Sequence, residues 1–171
     1  MIIWINGAFG SGKSTVSNAL KDKMSKSKIY DPEIIGSFIN QLTPKYKRKS
    51  DFQDYPAWRK WNARLLLLFS KVYSGVIIVP MSLYQEDYFN EIVGELQYRR
   101  IDVYHFILDV EDEIVIKRLK NRNDETLAWG ISKLSQCQDF FKRRPKTEKI
   151  AYSKSSVDDA VNKILANIAS K

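Results

Sequence analysis

Short unbroken apolar runs alternate along this chain with longer stretches in which apolar residues return every three or four positions. Residues 2–5, IIWI, predict a buried strand, and residues 13–24 a helix opening straight from a glycine-rich loop. Residues 28–30 predict a short strand ended by Asp31-Pro32. Pro32 suits a first helical position, where its missing N–H is not needed, so a helix follows over 33–40. Residues 41–55 are polar, basic and without period, and predict a mobile connection. Pro56 begins a long helix through 73 whose apolar residues fall on several faces, which predicts burial. Residues 75–79, GVIIV, predict a buried strand stopped by Pro80. A helix is expected over 84–100, where Tyr88, Ile92 and Leu96 recur every four. A fourth strand is expected over 102–108, with Asp109 as the cap of a helix over 111–121. A loop over 122–131, a short helix over 132–143 and a fifth strand over 149–152 follow. The last helix carries Val157, Ala160, Val161, Ile164, Leu165 and Ile168 on one stripe, with Ser156 at its N-cap.

Strand and helix alternate five times, which means an α/β fold on a parallel sheet with right-handed crossovers. The 171 residues fit one domain, 1–171, with a full core and no internal repeat. Composition changes little in that picture: 44% hydrophobic and 28% charged residues are ordinary for a globular protein. Charge adds more. The formal net charge of +8 favours an anionic partner, without choosing among nucleotide, phosphorylated metabolite, nucleic acid and anionic membrane. No nucleic-acid-binding module is visible, so a nucleic-acid partner is not expected. The single cysteine, Cys137, cannot form an internal disulfide and points to a reducing compartment. The N-terminus lacks a basic signal-peptide region. The run LLLLF at 65–69 falls far short of the roughly 20 residues that span a bilayer. No membrane span and a cytoplasmic location are therefore expected.

The candidate chemistry starts at residues 7–14, GAFGSGKS, which has the spacing G-x-x-x-x-G-K-[ST] between a strand and a helix. In that setting the backbone N–H groups of 8–14 can surround a phosphate at a helix N-terminus, which makes Gly7, Ala8, Phe9, Gly10, Ser11, Gly12, Lys13, Ser14 and Thr15 the expected nucleotide-binding residues. Lys13 is expected to bridge the β- and γ-phosphates, and Ser14 to offer its hydroxyl to Mg²⁺. The second strand that often supplies an acid for Mg²⁺ reads VIIVPM here, with no acid. No guanine-reading N-K-x-D segment occurs, which argues against a GTPase switch.

RLKNR places Arg118 and Arg122 four apart on one helix face. This is similar to the R-x-x-x-R that precedes the lid of small nucleotide and metabolite kinases. That resemblance implies that Arg118 stacks on adenine and Arg122 reaches the transferring phosphates, tasks a planar guanidinium suits. Asp31 ends a strand on the edge where open α/β sheets bind ligands, so it is a candidate general base toward an acceptor hydroxyl. Arg59 lies in the first turn of a helix, where a cation is unfavourable unless an anion meets it.

Together MIIWINGAFGSGKS, YDPE, DFQDYPAWR, IIVPM, YFNEI and HFIL resemble the bacterial tunicamycin resistance proteins. These are P-loop, kinase-like proteins grouped with chloramphenicol phosphotransferase, shikimate kinase and gluconate kinase. The resemblance implies a three-layer αβα fold with a five-stranded sheet of order 2-3-1-4-5, ATP with Mg²⁺, and a lid over about 122–145. It also implies an acceptor side over about 31–60, with Asp31, Glu33 and Arg59 binding substrate. The longer C-terminal tail associated with that group, and with its membrane attachment, is not expected here. Two functions follow. One is an ATP-dependent phosphotransferase acting on a small hydroxylated molecule, with Lys13, Asp31 and Arg122 catalytic. The other is an ATP-dependent binder that sequesters tunicamycin or a similar nucleoside ligand without turnover. The remaining candidates read as ordinary: His105 as a core or sheet-edge residue, Cys137 as a small apolar residue, and KYKRK and KRRPK as solvated charge runs. Within KRRPK, Arg143 or Arg144 is the residue expected to close over phosphates.

Overall fold

A computed structural model describes residues 1–122, 127–153 and 156–170, with Arg122 described in its backbone only. Five parallel strands form one sheet of order β2-β3-β1-β4-β5. They are β1 (Ile2–Asn6), β2 (Ser27–Ile29), β3 (Val76–Pro80), β4 (Val103–Asp109) and β5 (Lys149–Ala151). Central β1 sets Ile2 opposite Ile77 and Val103, and Ile5 opposite Pro80 and Phe106. All five residues of β1 are buried, as in a parallel strand covered on both faces. The helices that flank the sheet are α1 (Lys13–Lys23), α2 (Glu33–Leu42), α3 (Pro56–Val72), α4 (Glu86–Phe89), α5 (Glu95–Tyr98), α6 (Asp112–Arg122), α7 (Leu127–Lys142) and α8 (Val157–Ala169). The expected sheet order and fold class are those found.

Five local expectations need correction. The helix expected over 84–100 is α4 and α5 joined by a π turn, Asn90–Gly94, which inserts an extra residue and turns Glu91 toward α3. The connection expected to be mobile holds two 3₁₀ turns, Lys45–Lys47 and Phe52–Asp54, and its end is buried: Asp51 and Gln53 are almost inaccessible. That segment shows no period because polar contacts rather than an apolar face hold it. The long helix α3 is not enclosed; Trp61, Leu68, Phe69 and Val72 stay exposed. Residues 127–131, expected as loop, form the first turns of α7, while Asp109 closes β4 instead of capping α6. The expected cap of α8 is present in full, with the Ser156 hydroxyl accepting from Asp159 N and the Asp159 carboxylate accepting from Ser156 N.

The chain leaves β1 toward β2 on one side of the sheet and leaves β3 toward β4 on the other. A crevice therefore opens beyond the carboxyl end of β1, where the glycine loop lies. Among the described residues no helix is long and apolar enough to cross a membrane.

Candidate nucleotide and acceptor site

The loop after β1 is shaped by backbone that only glycine adopts easily. Gly12 has φ +98°, and a Cβ there would stand 3.0 Å from the Tyr152 ring. Gly7 has φ +151°, and a Cβ there would lie 2.6 Å from Ser11 Oγ. Gly12 is also the N-cap of α1, with no side-chain cap and no acid in the first turn. The N–H groups at that helix end are thus left for an anion.

Lys13 reaches back across the loop: its Nζ donates to the carbonyls of Gly7 at 3.1 Å and Ala8 at 2.9 Å. Lys13, Ser14 and Thr15 line a cleft of about 500 Å³ together with Phe9, Gly10 and Gly12. Across it stand Arg118, Tyr152, Pro80 and Glu33. Arg118 Nη1 donates to Ser11 O at 2.9 Å, and its guanidinium lies 5.2 Å from the Tyr152 ring centre. Arg118 thus faces the glycine loop. The Arg122 side chain lies outside the described residues.

On the acceptor side, Glu33 shares the cleft with Ser14, whereas Asp31 and Arg59 are not among its lining residues. Asp31 Oδ1 accepts from Glu33 N at 2.9 Å and so starts α2. Arg59 is buried. Its Nε donates to Glu91 Oε2 at 2.7 Å, its Nη1 donates to Gln53 O, and the guanidinium lies 4.0 Å from the Tyr88 ring centre. The anion expected to meet Arg59 is therefore Glu91 of the π turn. Arg144 is likewise engaged, by Glu148 and Glu86, and Arg143 is exposed.

Several further contacts surround the loop. Phe9 packs edge-on against Trp129 of α7 at 4.4 Å and against Tyr84 at 6.2 Å. The Tyr84 hydroxyl donates to Asp51 Oδ2, and burial and that carboxylate together push its pKa well above the ordinary tyrosine range. Burial pushes the neighbouring Cys137 thiol up to about 12, so it is inert as a nucleophile at neutral pH. Beneath the loop, Asn6 is fully buried and uses its whole amide. Its Oδ1 accepts from Gly7 N at 2.8 Å and Leu83 N at 3.0 Å, and its Nδ2 donates to Leu83 O at 2.9 Å. The remaining Nδ2 proton points to His105 Nε2, 3.1 Å away. Ser82, just past the acid-free end of β3, donates its hydroxyl to Gly7 O at 2.8 Å. The signal available in the sequence was a polar residue, Asn6 or His105, within each of two otherwise apolar strands.

Residues 3–139 match the AAA domain family. The chain belongs to that family. No curated protein sequence matches this AAA-domain chain. Its fold is similar to that of the *Deinococcus radiodurans* tunicamycin resistance protein, with a TM-score of 0.78 and 24% identity over 98% of this chain and 95% of that one. It is also similar to a sugar kinase from *Janibacter* sp. HTCC2649, with a TM-score of 0.70 and 17% identity over 98% and 94% of the two chains. A third similar structure is the *Mycobacterium tuberculosis* APS kinase CysC in complex with AMPPNP and APS, with a TM-score of 0.61 and 17% identity over 98% and 96%. At these identities the likeness establishes the P-loop kinase-like fold of the AAA-domain chain.

Proposed function

We propose that this protein binds ATP with Mg²⁺ in the cleft above α1 and transfers its γ-phosphoryl group to the hydroxyl of a small molecule. The observation that carries this reading is the single cleft in which loop glycines, Lys13, Ser14, Arg118 and Glu33 meet. The loop N–H groups and the end of α1 bind the phosphates. Lys13 exchanges the Gly7 and Ala8 carbonyls for phosphate oxygens, and Arg118 and Arg122 add charge as the phosphoryl group moves. The donor set fits a magnesium ion: Ser14 and Glu33 offer hard oxygens on one cleft, and Mg²⁺ needs few protein ligands because it keeps most of its waters. When bound, Mg²⁺ supplies charge neutralisation between the phosphates. Asp31 stands at the carboxyl edge beside Glu33, where it orients the acceptor hydroxyl. Arg59 supports the acceptor side through the Gln53 carbonyl.

One observation favours the second reading, an ATP-dependent binder of tunicamycin or a similar nucleoside that sequesters its ligand. The two residues past β3 are Met81 and Ser82, neither an acid, and the Ser82 hydroxyl is engaged by Gly7 O. The deciding experiment incubates the protein with γ-labelled ATP, Mg²⁺ and a panel of nucleosides, amino sugars and tunicamycin. Label transferred to one acceptor, and lost in Lys13→Ala, supports transfer. Tight ligand binding with ATP but no labelled product supports sequestration.

A further inference from the structure

We propose that His105 is a positioning residue for the glycine loop, holding Asn6 in the one amide orientation that fixes the Gly7 peptide, and that it does so only while its Nε2 carries no proton. This rests on the reading of the loop as a nucleotide site, and adds to it a residue from the neighbouring strand that never touches the cleft.

The argument is one of hydrogen-bond polarity. Asn6 has two donors and one acceptor oxygen, and all are engaged. Because Oδ1 takes the N–H groups of Gly7 and Leu83, the group facing His105 must be Nδ2, a donor. Nε2 of His105 must therefore accept, and the ring proton sits on Nδ1, donating to Glu148 Oε2 at 2.9 Å. A second proton on Nε2 would set donor against donor. Turning the Asn6 amide over would relieve that contact, but would aim Nδ2 at the N–H groups of Gly7 and Leu83. No orientation of Asn6 satisfies both the loop and a doubly protonated ring.

The surroundings favour the neutral ring. Burial disfavours the charge and holds the His105 pKa below its ordinary value of 6.5, against the pull of Glu148. Arg144, which pairs with Glu148, adds to the depression. From α4 the ring meets only the edge of Phe89, 4.8 Å between centroids, and Glu86 on that helix faces Arg144. The hold on Gly7 is therefore complete above about pH 6.5 and is lost as pH falls through the lower folded value. Released, the loop visits shapes that cannot bind phosphate, and apparent affinity falls in proportion to the competent fraction.

The test uses the full chain as wild type, His105→Gln and His105→Leu, at pH 7.5 and at a pH about one unit below the point where the His105 ring titrates in the folded chain, located by NMR. Two quantities are read: exchange of the Gly7 amide proton by NMR, corrected for intrinsic pH dependence, and the dissociation constant for MgATP. Wild type should protect Gly7 at pH 7.5 and lose protection at the lower pH, with MgATP binding about tenfold weaker when roughly one molecule in ten stays competent. Gln carries an acceptor that reaches the Nε2 position and does not titrate, so His105→Gln should protect Gly7 at both values. His105→Leu should protect it at neither. Full Gly7 protection in His105→Leu at pH 7.5, or the same pH dependence in His105→Gln as in wild type, would overturn the proposal. If His105→Leu does not fold, the comparison of wild type with His105→Gln decides alone. If no form binds MgATP, the nucleotide reading fails, and Gly7 exchange still judges the role of His105.

Discussion

Replacing Arg59 by alanine separates a structural cation from a ligand-binding one. Three contacts vanish with the guanidinium. The ion pair to Glu91, whose carboxylate is 47% exposed, is worth about 0.5 kcal/mol after solvent screening. The charge-assisted hydrogen bond to the buried Gln53 carbonyl is worth about 1.5 kcal/mol. The stacking on Tyr88 adds about 1 kcal/mol. The sum is about 3 kcal/mol, and at about 2–4 °C per kcal/mol for a chain of this size the melting temperature should fall by about 6–12 °C. The assay is a thermal melt followed by circular dichroism, with Glu91→Gln as a partner variant that removes only the exposed pair and should cost about 1–2 °C. A residue held ready for a substrate anion would behave differently, since its loss leaves the empty protein as stable as before. An Arg59→Ala melt within about 2 °C of wild type would refute the reasoning.

Gly12→Ala should abolish MgATP binding and lower stability by about 1–2 kcal/mol, since it forces a side chain into left-handed backbone against the Tyr152 ring; a binding titration beside a urea melt checks both. Ser156→Ala should cost about 1 kcal/mol by removing the cap of α8, with nucleotide binding unchanged, measured in the same pair of assays. Glu148 gives a pH signature. Burial raises its pKa, but hydrogen bonds from His105 and Arg144 outweigh that and hold it below the ordinary 4.5. Its contribution is thus present above pH 4.5 and is lost as pH falls through the lower folded value. Urea midpoints taken across acid pH should fall more steeply in wild type than in Glu148→Gln.

The periodic parts of the fold were legible because burial dictates them. The apolar runs at 2–5 and 75–79 could only be covered strands, and the glycine loop between β1 and α1 fixed the sheet edge that carries the site. What escaped was built from polar contacts between distant residues. Asp51 looked like part of a solvated linker because nothing near it in sequence names Tyr84, its partner 33 positions on. Arg59 stood out as a cation expected to meet an anionic ligand, and the carboxylate it meets is Glu91, set in a π turn that leaves no periodic signature. Asn6 and His105 were visible as polar interruptions, yet only strand pairing shows that they are neighbours across the sheet.

The central position of β1 bears on how the chain comes together. Its partners, β3 and β4, are both encoded far downstream, so Ile2 has to wait for Ile77 before one side is paired and for Val103 before the other is. The run IIWI is made well before either neighbour, since β3 begins only at Val76 and β4 only at Val103. Such non-local parallel pairing folds slowly and leaves apolar strands open to wrong partners. The strand that presents the glycine loop is thus also one whose sheet neighbours arrive late, and a ligand that captures the finished loop favours the paired state. Refolding yield should rise when MgATP is present from the start.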